Sequence, residues 1–205
     1  MIAQNNTTAS DIIKQATASA HVTTEKTLMQ HIQKIQSAED YAMLLYCLYG
    51  YYAALEPIFN QYMPALLPDY AQRRKAARLV NDITALGFPA PEQRAIEIPA
   101  VQQPIEALGC YYVLEGSVLG GAFIKKMMQK QYPVLPDEAF SFFSGYDQQN
   151  GAMWKSFLAQ FNSLVETEAQ KAIAVQAADS CFTLFGKHIV RYYGGKLNAV
   201  VSDRL

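Results

Sequence analysis

The 205-residue sequence predicts an all-α fold, a single multi-helical domain. Apolar residues recur every three to four positions over long stretches, no segment alternates like a half-buried strand or carries a hairpin turn, and proline and glycine gather between the periodic stretches. A chain of this length with 51% hydrophobic residues can bury a core without disulfides or metal. Residues 10–193 are expected to form the domain, between a flexible N-terminus (1–9) and a C-terminal tail (194–205). There is no internal repeat.

The first helix is expected to be capped by Ser10 or Asp11 and to reach about Gln36, with Ile12, Ile13, Ala16, Ala20, Thr24, Leu28 and Ile32 on its apolar stripe. A second, mostly apolar and therefore central helix should run from Ser37 to about Tyr62, where Pro64 and Pro68 break the chain. A polar third helix from about Asp69 to Leu86 ends at Gly87. Pro89, Pro91, Pro99 and Pro104 mark an irregular connection, and Pro104 suits the first turn of a helix continuing to about Lys130. A loop from Tyr132 to Gly151 holds one short helix, and residues 152–193 make one or two more, broken near Glu168 or Asp179.

Net charge is -1 and the isoelectric point is near 6.3. Basic residues cluster only at Arg73-Arg74-Lys75, so nucleic acid is not an expected partner. The N-terminus lacks the charged and apolar regions of a signal peptide, and no apolar run looks long enough for a membrane span, so a cytoplasmic protein is expected. Cys47, Cys110 and Cys181, odd in number and widely spaced, read as reduced thiols buried in helices.

The fourth long helix carries an unusual load of glycine: Gly109, Gly116, Gly120 and Gly121. Each costs roughly 1 kcal/mol relative to alanine inside a helix, so something must approach that backbone closely. Either a flat ligand or another helix meets the requirement. On the first helix, Lys14, His21 and Glu25 share a face with Leu28. A neutral imidazole can ligate iron through one nitrogen while a carboxylate one turn away holds the other N–H, and Lys14 lies about 10 Å along the axis, in reach of an anionic ligand edge. The same residues also read as a surface histidine with a solvated partner. His31 and His188 have no partner spacing that suggests zinc or a triad, and Tyr46, Tyr49, Tyr51 and Tyr52 read as core and helix-interface residues.

The segment Tyr111-Tyr112-Val113-Leu114-Glu115-Gly116-Ser117-Val118-Leu119-Gly120-Gly121 closely resembles the distal-helix signature of bacterial haem oxygenases, the branch often found beside bacteriophytochromes. Ala16 to Glu25 is similar to that family's proximal-histidine segment, Gly50 to Glu56 to its second helix, and Arg73-Arg74-Lys75 with Asp82, Leu86 and Gly87 to its third. Together these cover most of residues 10–190. The resemblance implies a haem oxygenase-like bundle in which haem is substrate and cofactor, bound by Lys14, His21, Glu25, Tyr111 and Lys155. His21 would be the iron ligand with Glu25 beside it, and Lys14, Tyr111 and Lys155 would meet the propionates. The catalytic distal face would be Gly116, Ser117, Gly120 and Gly121.

Haem would be opened to biliverdin, CO and ferrous iron using O2. With no NAD or flavin signature in the chain, electrons would come from a separate ferredoxin, flavodoxin or reductase, and a bacteriophytochrome would be a fitting acceptor of biliverdin. Two departures stand out: Ser117 occupies a position where some members carry aspartate, and a propionate-binding arginine of some members is replaced near Ala159. A non-catalytic haem carrier or sensor on the same fold, and a thiaminase-like hydrolase using a cysteine nucleophile, are the rival readings.

Overall fold

A computed structural model describes residues 7–92, 94, 95 and 97–196, which contain helices and no strand. Helix α1 (Ala9–Ala16) starts at Thr8, which exchanges side-chain and backbone hydrogen bonds with Asp11 in a reciprocal cap. The cap therefore sits before Ser10, and Asp11 serves from the first turn. Thr8 caps the helix with extended backbone and Ala9 begins it, buried; the remaining described N-terminal residue is Thr7, and most of the expected flexible segment lies outside the described residues.

The long first helix breaks at Thr17, whose hydroxyl bonds back to the Ile13 carbonyl at 2.7 Å and whose backbone leaves helical geometry (φ -96, ψ 5). Helix α2 (Ala18–Ile32) follows. Helix α3 (Ala38–Leu66), capped by Ser37, runs through Pro57 and Pro64 instead of stopping at Pro64. Packing of Leu55, Phe59 and Met63 in the core holds that last stretch helical despite the missing N–H groups.

The third helix is shorter than its polarity suggests. Only a 3-10 turn (Tyr70–Gln72) and helix α4 (Ala77–Ala85) form. Between them Arg73 and Arg74 turn inward to acceptors on other elements, which a continuous helix would not permit. Gly87 takes φ +85 just past α4, as a helix-ending glycine does.

Helix α5 (Pro104–Gln131) carries all four glycines in one continuous run, opened by Pro104 and a Gln103–Glu106 cap. Two 3-10 turns flank the short helix α6 (Ser141–Ser144). Helices α7 (Asn150–Leu164) and α8 (Glu168–Arg191) are separated at Val165–Thr167, with no break at Asp179, and a π turn covers Tyr192–Lys196. The start of the expected tail thus continues the helix, and residues 197–205 lie outside the described region.

Helix α5 is the centre of the bundle, packed most extensively on α8 and also on α3, α6 and α7. Helix α2 packs on the same α8, so α8 bridges the glycine helix and the histidine helix. One core gathers Tyr51, Leu55, Phe59, Leu108, Phe157 and Phe161; a second gathers Tyr41, Leu44, Leu45, Phe140 and Phe143. Helices α3 and α5 are long and apolar enough to cross a membrane by length and composition, contrary to the sequence expectation, yet more than half of each apolar window is buried inside the bundle. Their apolarity serves the core.

Candidate functional site

The four glycines of α5 divide into two kinds. A Cβ on Gly109 would collide with the Ala174 carbonyl oxygen and come within 2.9 Å of Ala177 Cβ, and one on Gly121 would lie 2.5 Å from the Phe143 carbonyl oxygen. These two glycines are explained by close packing against α8 and α6. Gly121 was expected on the ligand face; it is buried against the Phe143 backbone, on a neighbouring side of α5. Gly116 is half-open, its Cβ position 3.3 Å from the edge of Trp154.

Gly120 is different. It is exposed, its φ is not positive, and a Cβ there would meet no heavy atom within 4 Å. Neither packing among the described residues nor backbone conformation accounts for glycine at this helical position, which leaves bare backbone open on an exposed face. Around it α5 exposes Ser117, Leu119 (49%) and Phe123 (64%), an apolar strip with one hydroxyl.

Replacing Gly120 by alanine is expected to keep or raise stability by up to about 1 kcal/mol while weakening ligand binding, whereas alanine at Gly109 or Gly121 is expected to destabilise by about 1–3 kcal/mol through overpacking. Thermal melts of the three variants separate the two kinds.

Ser117 is joined to a network that the sequence did not reveal. The Arg74 guanidinium, 9% exposed, donates from Nη2 to Ser117 Oγ (2.6 Å) and to the Leu114 carbonyl (2.8 Å). It lies over the Phe142 ring at 4.1 Å, and no carboxylate forms an ion pair with it among the described residues. Tyr52 OH is 2.7 Å from Ser117 Oγ. Because arginine only donates, Ser117 Oγ accepts from Arg74; if Tyr52 also donates to it, both lone pairs are used. The single Ser117 proton is then left for the Leu114 carbonyl, 2.7 Å away, or for a group on the open face. Arg74 was legible only as part of a basic triplet, and Tyr52 only as one tyrosine among several.

On α2, His21 is exposed, its ring edge-on to Phe182 of α8 with centroids 5.3 Å apart. The Thr24 hydroxyl donates to the Phe182 carbonyl at 2.9 Å and ties the helices together at this level. No protein partner engages the His21 ring nitrogens among the described residues, and Glu25 is exposed one turn on without bonding to His21. Among the described residues no group of three or more His, Cys, Asp or Glu could cage a bare ion. A metal at His21 would have to bring its other donors, as a macrocycle does.

His31 stacks on Tyr193 at 3.8 Å, and His188 is buried with Nε2 bonded to the Cys47 carbonyl at 2.9 Å. Burial lowers the His188 pKa, so its neutral ring donates that bond and is structural.

Lys14 on α1 and Lys155 on α7 are exposed, on helices that pack together through Ser10 and Asn162. Tyr111 is not with them. It is 4% exposed and enclosed by Phe59, Tyr70 and Phe157, because its position on α5 faces the core. Its neighbour Tyr112 is the half-buried phenol, packed on Trp154 and near enough to Asp11 of α1 for that carboxylate to add to the upward push of burial on its pKa. Burial drives the Cys47 thiol far above its ordinary range, and a side-chain hydrogen bond to Cys181 that holds the proton, together with burial, does the same for Cys110; neither can serve as a nucleophile.

The sequence pattern of the family described as Heme oxygenase matches residues 7–191. The chain belongs to the haem oxygenase family. The heme oxygenase PigA of Pseudomonas aeruginosa is 29% identical over 171 residues, covering 82% of this chain and 85% of that protein. The heme oxygenase of Xanthomonas campestris pv. campestris is 30% identical over 149 residues, 72% of this chain and 87% of that protein. The fold is that of the heme oxygenase of Neisseria meningitidis solved with NO and CO bound, with a TM-score of 0.80 at 23% identity over 92% of this chain and 94% of that one. The heme oxygenase of Leptospira interrogans superposes with a TM-score of 0.71 at 18% identity, covering 90% and 99%.

Proposed function

We propose that haem lies between α2 and α5, its iron held by His21 and its distal side against Gly116 and Gly120. The observation that carries this reading is Gly120, a helical glycine with open space where a side chain would be. Haem is both substrate and the centre at which O2 is activated, and its oxidative opening gives biliverdin, CO and ferrous iron. The chain supplies orientation and protons.

His21 presents an exposed imidazole steadied by Phe182, with both nitrogens available. Glu25, one helical turn away, is placed to accept from the second nitrogen and fix the tautomer. Lys14 and Lys155 suit the carboxylate edge of the plate, and Tyr112 is the better placed of the two tyrosines to join them. Gly116 and Gly120 would let the plate approach the helix backbone. Ser117, which accepts from Arg74 and lies 2.7 Å from the Tyr52 hydroxyl, would swing its own proton from the Leu114 carbonyl toward that space and so take the role that an aspartate has in some relatives. A catalytically inert carrier is disfavoured by this network, because storage alone gives no use for an unpaired buried cation oriented on a hydroxyl.

Electrons are proposed to come from a separate ferredoxin, flavodoxin or reductase, and a bacteriophytochrome is the proposed acceptor for biliverdin in a cytoplasmic setting. The test is optical: hemin is added to the protein, then reductant and O2, with catalase present. The Soret band should form and then decay as biliverdin absorption rises; a band that persists defeats the oxygenase reading, and no band defeats His21 as ligand. Replacing Ser117 by alanine should leave hemin binding intact and slow turnover roughly 10²-fold, within the usual range for loss of a positioned proton donor. Single-turnover kinetics of the loaded variant measure this.

A further inference from the structure

Behind the ligand face of α5, on the side away from Gly120, a cavity is lined by Tyr52 and Glu56 of α3, Tyr111 and Glu115 of α5, and Arg74 and Lys75 of the connection before α4. Its free space of about 20 Å³ suffices for one ordered water. Tyr111, Glu115 and Arg74 are buried, while Tyr52, Glu56 and Lys75 are partly exposed, so the space leads from the surface to the underside of the glycine helix. The Tyr111 hydroxyl is a buried polar atom with no hydrogen-bond partner among the described residues. Such a group calls for a water, and the cavity has room for it.

We propose that Lys75 is the acid that resupplies protons to Ser117, through a water in this cavity and the Tyr52 hydroxyl. The proposal rests on the reading of Ser117 as proton donor to the ligand face. Lys75 Nζ donates to the Tyr70 carbonyl (3.1 Å) and lies 3.0 Å from the Tyr70 ring centroid, but makes no ion pair among the described residues. With one N–H on the carbonyl and one facing the ring, a third remains for the cavity. Tyr52 lines the same cavity and reaches Ser117 Oγ at 2.7 Å on the other side.

In one passage, the Lys75 ammonium gives a proton to the water, which gives one to the Tyr52 oxygen. The Tyr52 proton moves to Ser117 Oγ and the Ser117 proton to the acceptor on the ligand face. The Lys75 amine then takes a proton from solvent, and no electrons move.

The charged and titratable neighbours agree with this assignment. Desolvation lowers the Lys75 pKa to about 8, opposed by Glu56 of α3 and Glu115 of α5 and assisted by Arg73. Arg74 cannot release a proton in this range. The phenols of Tyr70, Tyr111 and Tyr146 are all raised by burial and hold theirs. Lys75 is thus the cavity cation that can both lose and regain a proton near neutrality.

The experiment compares single-turnover biliverdin formation in hemin-loaded wild type, Lys75→Met, Lys75→Arg and Ser117→Ala from neutral to alkaline pH. It is joined to an NMR titration of the Lys75 Nζ in haem-free wild type. The wild-type rate should fall as pH rises through about 8, where the ammonium is lost, and the Nζ titration should share that midpoint. Both Lys75 variants should bind hemin as tightly as wild type, react about tenfold more slowly and lose the alkaline fall. Arginine fails to rescue because it keeps the charge without releasing a proton.

A Lys75→Arg variant with wild-type rate and profile overturns the proposal, as does an Nζ midpoint at the ordinary lysine value. If Lys75→Met is unaffected while Ser117→Ala is slow, Lys75 is excluded and the Ser117 reading stands; if both are unaffected, both readings fall.

Discussion

Replacing His21 by alanine is expected to abolish biliverdin formation while leaving the fold intact. The side chain is exposed and its described contact is the edge-to-face pair with Phe182, an interaction worth about 0.5–1.5 kcal/mol. Helix α2 keeps its other anchors, the Thr24 bond to the Phe182 carbonyl and the buried Ile32. Circular dichroism should therefore be unchanged, and the melting temperature should move by only a few degrees. Hemin added to the variant should show a displaced Soret band, and exogenous imidazole should restore part of the wild-type spectrum by supplying the missing nitrogen. Turnover at the wild-type rate would remove His21 from the iron site.

Glu115 gives the opposite pattern, a large loss of stability. Its carboxylate sits 2.5 Å from Nη1 of Arg73, whose side chain is 0% exposed, and accepts from Tyr146 OH at 3.0 Å. Arg73 is held on its other side by Asp69 through Nε (2.8 Å) and Nη2 (2.7 Å). Glu115→Ala leaves one arm of a buried guanidinium with only the Met153 carbonyl at 3.4 Å, and a half-buried phenol without its carboxylate acceptor. Breaking a buried pair from one side costs about 3–5 kcal/mol, which for a chain of this size is roughly 10 °C in Tm. Glu115→Gln, which keeps an acceptor oxygen, should recover part of the loss. A thermal melt within 2 °C of wild type (on the order of 0.5–1 kcal/mol) would show that Asp69 alone satisfies Arg73.

The all-α class was legible because periodicity and punctuation agree along most of the chain. Ser37, Gly87, Pro104 and the break before Glu168 mark ends or starts that the structure keeps. Long-range contacts decided the remainder. Nothing local in Asp69–Ala76 opposes a helix; the segment is unwound because Arg73 and Arg74 reach Glu115 and Leu114 on α5, about forty residues away in sequence. The break at Thr17 has the same character, since a hydroxyl bonding to its own helix is visible only once the backbone is placed.

In the candidate site, residue type pointed to His21 and to the glycine cluster, but it could not sort the glycines. Gly109 and Gly121 differ from Gly120 only in what stands opposite them. Likewise Tyr111 and Tyr112 are adjacent and chemically identical, and the helix phase sends the first to the core and the second toward α1.

Helix α8 touches both walls of the proposed slot: Ala174 and Ala177 meet α5 at Gly109, and Phe182 meets α2 at His21. The separation of the walls is therefore gauged by a third body, like jaws set on a common spine, and the setting is fixed where the Gly109 backbone rests on Ala174. On the proposed placement of haem, a residue far from the ligand would then bear on which planar molecules fit: added bulk at Gly109 would act as a shim on the spacing of the two walls.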